Sequence, residues 1–203
     1  MSGYFRKIAV FGYVCLMKWR VSCYTVISLL RFKICGVKSG RGVRVSGRLN
    51  LHISPNSKVV LGNNVRIISG FAYNAVGGSQ RTGFWVNRGA ELFIGNDVGI
   101  SNSTIVCSER VSIGEKTFIG GDTCIYDTNF HSLKPEIRLG GDYEVKTAPI
   151  TIGKECFIGG HVIILKGVTI GDQSVVGAGS VVTHDIPPRQ IWGGNPAGFI
   201  RMI

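Results

Sequence analysis

No acidic residue precedes Glu91: the first 90 residues hold 14 Lys or Arg and no Asp or Glu, and the remainder holds 9 basic and 12 acidic residues. A half so uniformly basic points to a polyanionic partner, whether a membrane surface, a nucleic acid or an anionic glycan. Zinc-finger spacing, an aromatic RNA-binding signature and a DNA-reading helix are all missing, which sets nucleic acid aside. The six cysteines, Cys15, Cys23, Cys35, Cys107, Cys124 and Cys156, form no CxxC and no other short-spaced pair. That excludes a redox couple or a zinc ribbon and leaves the thiols as small apolar groups, suited to a reducing, cytoplasmic compartment. Long apolar runs are missing too. Lys18 and Arg20 split residues 8–30 into two short runs, and a membrane span needs about 20 apolar residues. The run Ile8–Met17 follows Arg6 and Lys7 as a signal peptide would, but Lys18-Trp19-Arg20 comes next where a small-residue cleavage site belongs. Arg20 likewise spoils a lipoprotein-type box before Cys23. Charged residues are only 17% and hydrophobic ones 44%, so the chain is a folded one.

What the chain has in excess is glycine, 29 of 203 residues, about twice the usual ~7% share. Much of it falls in phase with a repeat. Ile152, Ile158, Ile164, Ile170, Val176 and Val182 recur every six residues, with Gly153, Gly159, Gly171 and Gly177 directly after four of them. Four residues after each aliphatic stands a small or β-branched side chain: Cys156, Val162, Val168, Ser174, Ser180. An earlier array reads Ile94, Ile100, Val106 and, after one extra residue, Ile113, Ile119, Ile125, and Leu61-Gly62 with Ile67 make a weaker start. A period of six is neither helical nor a plain strand alternation. It fits short strands separated by corners, three to a triangular coil, with the aliphatic pointing inward and glycine accepting unusual corner angles. Stacked coils pair their strands in parallel and bury columns of Ile and Val.

Three stretches carry a resemblance: Asp127-Thr128-Asn129-Phe130-His131-Ser132-Leu133; Ile158-Gly159-Gly160-His161 through Gly171; and Gly177-Ala178-Gly179-Ser180 through Pro188, followed by Gly194-Asn195-Pro196-Ala197. With the hexads they make residues 60–203 resemble the hexapeptide-repeat acyltransferases, in particular the sugar and polysaccharide O-acetyltransferase branch. The resemblance implies an all-β fold, a left-handed parallel β-helix. The handedness comes from the resemblance alone, since general connection rules favour right-handed crossovers. It also implies acetyl-CoA as acyl donor, a saccharide acceptor, a homotrimer and no metal.

The hexads stop at Ile125 and resume at Ile152, and a loop expelled from a regular coil is where function is usually built. His131 lies at its first bend, and histidine has the pKa for removing a hydroxyl proton near neutrality. In the matching motif that proton is lost as the hydroxyl attacks the thioester directly. Asp127, four residues earlier, can orient the imidazole. Asn102 falls close to where related enzymes place an Asn that binds acceptor or supports the oxyanion. By resemblance the pantetheine arm lies along Gly160, Ala178 and Thr183, with Arg201 near the adenosine phosphates. His184 stands where the family has Lys, and Lys166 is a substitute cation.

The expected organisation is a basic, α-helical segment at 1–50, a β-helix at 51–190 with the loop 131–149 outside it, and a tail at 191–203. Within residues 1–35, apolar runs are punctuated by Phe5-Arg6-Lys7, Lys18-Trp19-Arg20 and Arg31-Phe32-Lys33. That pattern suits a helix lying on an anionic membrane surface, at the inner face of the cytoplasmic membrane, or a lid on the open end of the β-helix. Rival readings are an N-acetyltransferase acting on an amino sugar, a non-catalytic β-helix scaffold, and a metalloenzyme on the same helix. The last needs three converging histidines, and His52, His131, His161 and His184 contain no His-x4-His pair.

Overall fold

A computed structural model describes the backbone of residues 2–141 and 143–203 and the side chains of 10–141 and 143–203. Phe5, Arg6 and Lys7 of the basic N-terminal pattern and Asp142 of the loop lie outside the described side chains.

The chain forms a long helix, Ser2–Ile34, and then a left-handed parallel β-helix with three faces. The first face runs from Lys38–Ser39 to Thr169–Ile170. The second runs from Arg44–Ser46 to Val175–Val176 and is extended by Gln190–Gly193 and Gly198–Met202. The third runs from Asn50–Ile53 to Val181–Val182. Strict register stacks the aliphatics into columns. Leu61, Ile94, Ile113, Ile152 and Ile170 pair in turn on the first face, and Ile67, Ile100, Ile119, Ile158 and Val176 on the second. The prism therefore holds one continuous core, and every one of these side chains is buried.

Three expectations change. The earlier hexad array slips at Val106: it is Ile105 that pairs with Ile125 inside, while Val106 faces out beside Tyr126. The corner before it, at Asn102, is one residue short. The glycines after the inward aliphatics are not the residues with unusual angles. Positive φ falls instead at Asn64, Asp97, Lys116, Glu155 and Gln173. Glycine is needed for closeness: a Cβ at Gly114 would sit 2.5 Å from the carbonyl carbon of Gly153 in the next coil. The first coil also starts at Lys38, within the stretch expected to stand apart as 1–50, and the expected tail supplies two strands of the second face.

The open end of the prism is closed by the last turns of the helix. Phe32 is 1% exposed beneath it. Thr25 Oγ1 donates to the Val45 carbonyl at 3.1 Å and accepts the Val45 N–H at 3.0 Å, filling the place of a missing neighbour strand. Arg31 Nη1 donates to the Leu49 carbonyl at 2.9 Å. The helix stops at Gly36, which takes a left-handed φ of 73°, while the Val37 N–H donates back to the Phe32 carbonyl; glycine carries no Cβ penalty there.

Candidate active site

Two excursions leave the coils, one at each edge of the third face. At its leading edge, where the chain arrives from the second face, residues 69–82 bulge out. At its trailing edge, where the chain departs for the first face, residues 127–149 do so and include a short helix, Pro135–Leu139. The strip of third face between them carries an outward row, His52, Trp85, Val106, Tyr126 and Leu165, in register on successive strands. Two adjoining cavities open on this strip. One, of about 570 Å³, lies between Trp85, Val106, Thr128, Phe130 and Val145. The other, of about 460 Å³, shares Trp85 and Val106 and reaches the helix cap.

His131 is exposed and follows Phe130, which lines the first cavity. Phe130 has a φ of 62°, rare for a bulky side chain. It is held there by its N–H donating to Thr128 Oγ1 at 3.1 Å and by an edge-on contact with Tyr126, ring centroids 5.1 Å apart. The sharp bend this makes turns the chain out of the coil at His131.

Asp127 is buried, and its carboxylate accepts the backbone N–H of Ser108 at 2.6 Å and of Glu109 at 2.8 Å. It fastens the corner of the coil before it, a task with no local signal in the sequence. Burial pushes its carboxyl above the usual range, and the two amides draw it back in part. Asn102 is likewise occupied within the protein. It is 1% exposed, and its amide is spent on the leading-edge excursion: Oδ1 accepts the Gly70 N–H at 2.7 Å, and Nδ2 donates to the carbonyls of Asn74 and Val76 at 2.9 and 2.8 Å. It pins that loop.

The donor-site residues separate into groups. Gly160 and Ala178 lie on the leading edge, where Gly160 sits beneath Val76 and Gly121. Lys166, Thr183 and His184 lie on the trailing edge, with Thr183 Oγ1 2.8 Å from His184 Nδ1. Arg201 is on the closing strand of the second face. One copy of the chain does not gather them. The sequence also passed over His161, whose Nδ1 lies 3.1 Å from Asp122 Oδ2 on the leading edge. The same holds for Trp85, stacked on His52 at 4.1 Å between centroids; the alternation Leu51-His52-Ile53 and Phe84-Trp85-Val86 was its only signal. Among the described residues no group of three His, Cys, Asp or Glu is placed to hold a metal ion.

Residues 149–184 match the family described as hexapeptide repeat of succinyl-transferase. The chain is 43% identical over 120 residues to galactoside O-acetyltransferase of Escherichia coli (strain K12); the match spans 59% of this chain and 58% of that enzyme, so about three-fifths of the relative's length is represented. Among solved structures, a hexapeptide-repeat acetyltransferase of Vibrio cholerae complexed with acetyl coenzyme A superposes with a TM-score of 0.58 at 25% identity, covering 86% of this chain and 77% of that one. AntD, an N-acyltransferase of Bacillus cereus solved with dTDP and 3-hydroxybutyryl-CoA, superposes at 0.66 with 23% identity over 86% and 87% of the two chains, a likeness of fold. With its coils, its repeat and these relatives together, the chain is similar in repeat and fold to the hexapeptide-repeat acyltransferases.

Proposed function

We propose that the protein moves an acyl group, acetyl in the first instance, from acyl-CoA to a sugar hydroxyl in the building of a cell-surface polysaccharide, with His131 as general base. The observation that supports this is an exposed histidine on a loop thrown out of the coil stack, next in the chain to Phe130, which walls a cavity with Trp85 and Val106. The imidazole takes the hydroxyl proton as the oxygen attacks the thioester carbonyl, and the CoA thiol leaves without an acyl-enzyme. Galactoside O-acetyltransferase is the relative that favours a hydroxyl over an amine as acceptor.

The donor-site residues support a homotrimer, because Gly160 and Ala178 sit on one edge of the third face and Lys166, Thr183 and His184 on the other, and so suit the two walls of a groove between neighbouring copies. Phe118 and Phe157, paired in register and each 53% exposed on the second face, offer apolar surface for such contact. The helix adds a peripheral membrane contact. Its last turns cap the prism, but Phe11, Tyr13, Leu16 and Trp19 remain exposed beside Lys18 and Arg20. No described helix is long and apolar enough to cross a membrane; in this reading the segment lies on the surface, at the inner face of the cytoplasmic membrane.

The test is to incubate the protein with acetyl-CoA and a panel of hydroxylic and amino sugars, following thiol release and product mass. An ester product, labile to hydroxylamine, is expected. A stable amide moves the reading to N-acylation. Absence of acetyl-CoA binding removes the transfer reading altogether and favours a scaffold.

A further inference from the structure

The cavity nearer the helix cap differs chemically from its neighbour. Three cations reach it from three separate parts of the chain: Arg31 from the helix, Arg48 from the corner before the first third-face strand, and Arg81 from the end of the leading-edge excursion. No carboxylate lines it, and none occurs in the sequence before Glu91. Among the described residues none of the three arginines has a salt bridge, whereas Lys58 and Arg110, farther along, both pair with Glu91. Arg31 is held in place by its bond to the Leu49 carbonyl, so part of its ordering cost is met before any ligand arrives. Guanidinium groups match phosphate oxygens with paired N–H donors, and clustered like charges with no internal counter-ion call for an anion from outside.

The wall between this cavity and the one beside His131 is aromatic. Trp85 is 51% exposed and lines both cavities, with His52 stacked on it. Gly83, in register with Asn50 on one side and Thr104 on the other, puts no side chain into the floor. The result is one trough along the third face, with arginines at one end, an aromatic shelf in the middle and, at the other end, Phe130, the chain neighbour of His131.

We propose, resting on the acyl-transfer reading above, that the acceptor carries a phosphate or diphosphate, bound by Arg31, Arg48 and Arg81, and that its sugar lies across Trp85 with the reacting hydroxyl toward His131. The acceptor is then an activated glycosyl phosphate and not a finished neutral glycan. The reaction that consumes the product is a glycosyl or glycosyl-phosphate transfer.

The experiment is calorimetric titration of the full chain with inorganic pyrophosphate, uridine diphosphate, farnesyl diphosphate and maltose, repeated on Arg48→Gln, Arg81→Gln and, outside the trough, Arg66→Gln. The diphosphates should bind and maltose should not. Each trough variant should weaken binding by about 10- to 100-fold, as loss of a hydrogen bond to a charged group does, and Arg66→Gln should leave it unchanged. Preference for uridine diphosphate identifies a nucleotide-linked acceptor, preference for farnesyl diphosphate a lipid-linked one, and equal binding of all three the phosphate alone; each supports the site. No diphosphate binding at low salt, or an equal loss in Arg66→Gln, overturns it. Circular dichroism checks that the variants fold. Acetyl-CoA titration of the same samples separates the two readings: wild-type protein that binds acetyl-CoA but no diphosphate refutes this inference and leaves acyl transfer standing.

Discussion

Asp127 Oδ1 accepts the backbone N–H of Ser108 at 2.6 Å, tying the exit of one coil to the corner of the coil before it. In Asp127→Asn one of the two acceptors becomes an NH2 group facing an amide hydrogen, and stability should fall by about 1–3 kcal/mol. The pH dependence has a definite sign. Burial raises the folded carboxyl above its ordinary 3.8, so the folded chain holds this proton more tightly than the unfolded one. The contribution is fully present below the unfolded pKa and is lost as pH rises through the folded value. Urea unfolding in steps from about pH 3 upward should show wild type losing stability relative to Asp127→Asn. A difference that grows in wild type's favour as pH rises would contradict the assignment.

Asn102→Ala leaves the Gly70 N–H and the Asn74 and Val76 carbonyls without their partner. Each unsatisfied buried group costs about 1–3 kcal/mol, part of which water recovers as the loop loosens. Hydrogen exchange should quicken over residues 69–82 while the coils stay protected. Unchanged exchange there, with a raised KM for acceptor, would restore Asn102 to the binding site.

His131→Ala should keep the fold and the acetyl-CoA affinity and lower kcat by about 10²–10⁴-fold. His161→Ala is the comparison, since His161 stands beside the Asp122 carboxylate. If turnover is lost in His161→Ala and kept in His131→Ala, the base has been misassigned.

Cys107 is pushed up to about 12, chiefly by burial and further by the charge of Asp127, and burial raises Cys156 too. Both stay protonated at neutral pH and make poor nucleophiles. Cys107→Ser and Cys156→Ser should therefore retain transfer, and iodoacetamide at about pH 8 should spare both thiols in the folded protein. A radiolabelled acyl group trapped on either sulfur would replace direct transfer with a two-step path.

Flotation with anionic vesicles tests the helix. Binding should weaken with salt, since exposed charges are screened, and should fall when Phe11, Leu16 and Trp19 are changed to Ser. Those residues are exposed, so the cap formed by Phe32 and Thr25 stays intact. Failure of the intact protein to float at low salt would leave the helix as a lid only.

The core was legible because a column of Ile and Val needs only local spacing. Ile152 to Val182 could be placed inside without knowing what lay above them. The slip at Val106 was not legible, because it depends on the short corner at Asn102, which depends in turn on a loop some thirty residues earlier with no period of its own. The same distance hid the tasks of Asn102 and Asp127, whose partners sit on other coils. The loop that carries His131 was readable for the opposite reason: the break in the repeat marks it. The arginine trough was half visible, as a basic stretch without carboxylates, but only folding brings Arg31, Arg48 and Arg81 to one cavity.

A stack of parallel strands has no inherent reason to stop, since each terminal rung offers unpaired amides and carbonyls to the next molecule. Here the hydroxyl of Thr25 imitates a strand at Val45, and the closing hairpin turns the other end back on itself. The particle is therefore finite by construction, and a chain trimmed of its helix would have the shape of a fibre seed.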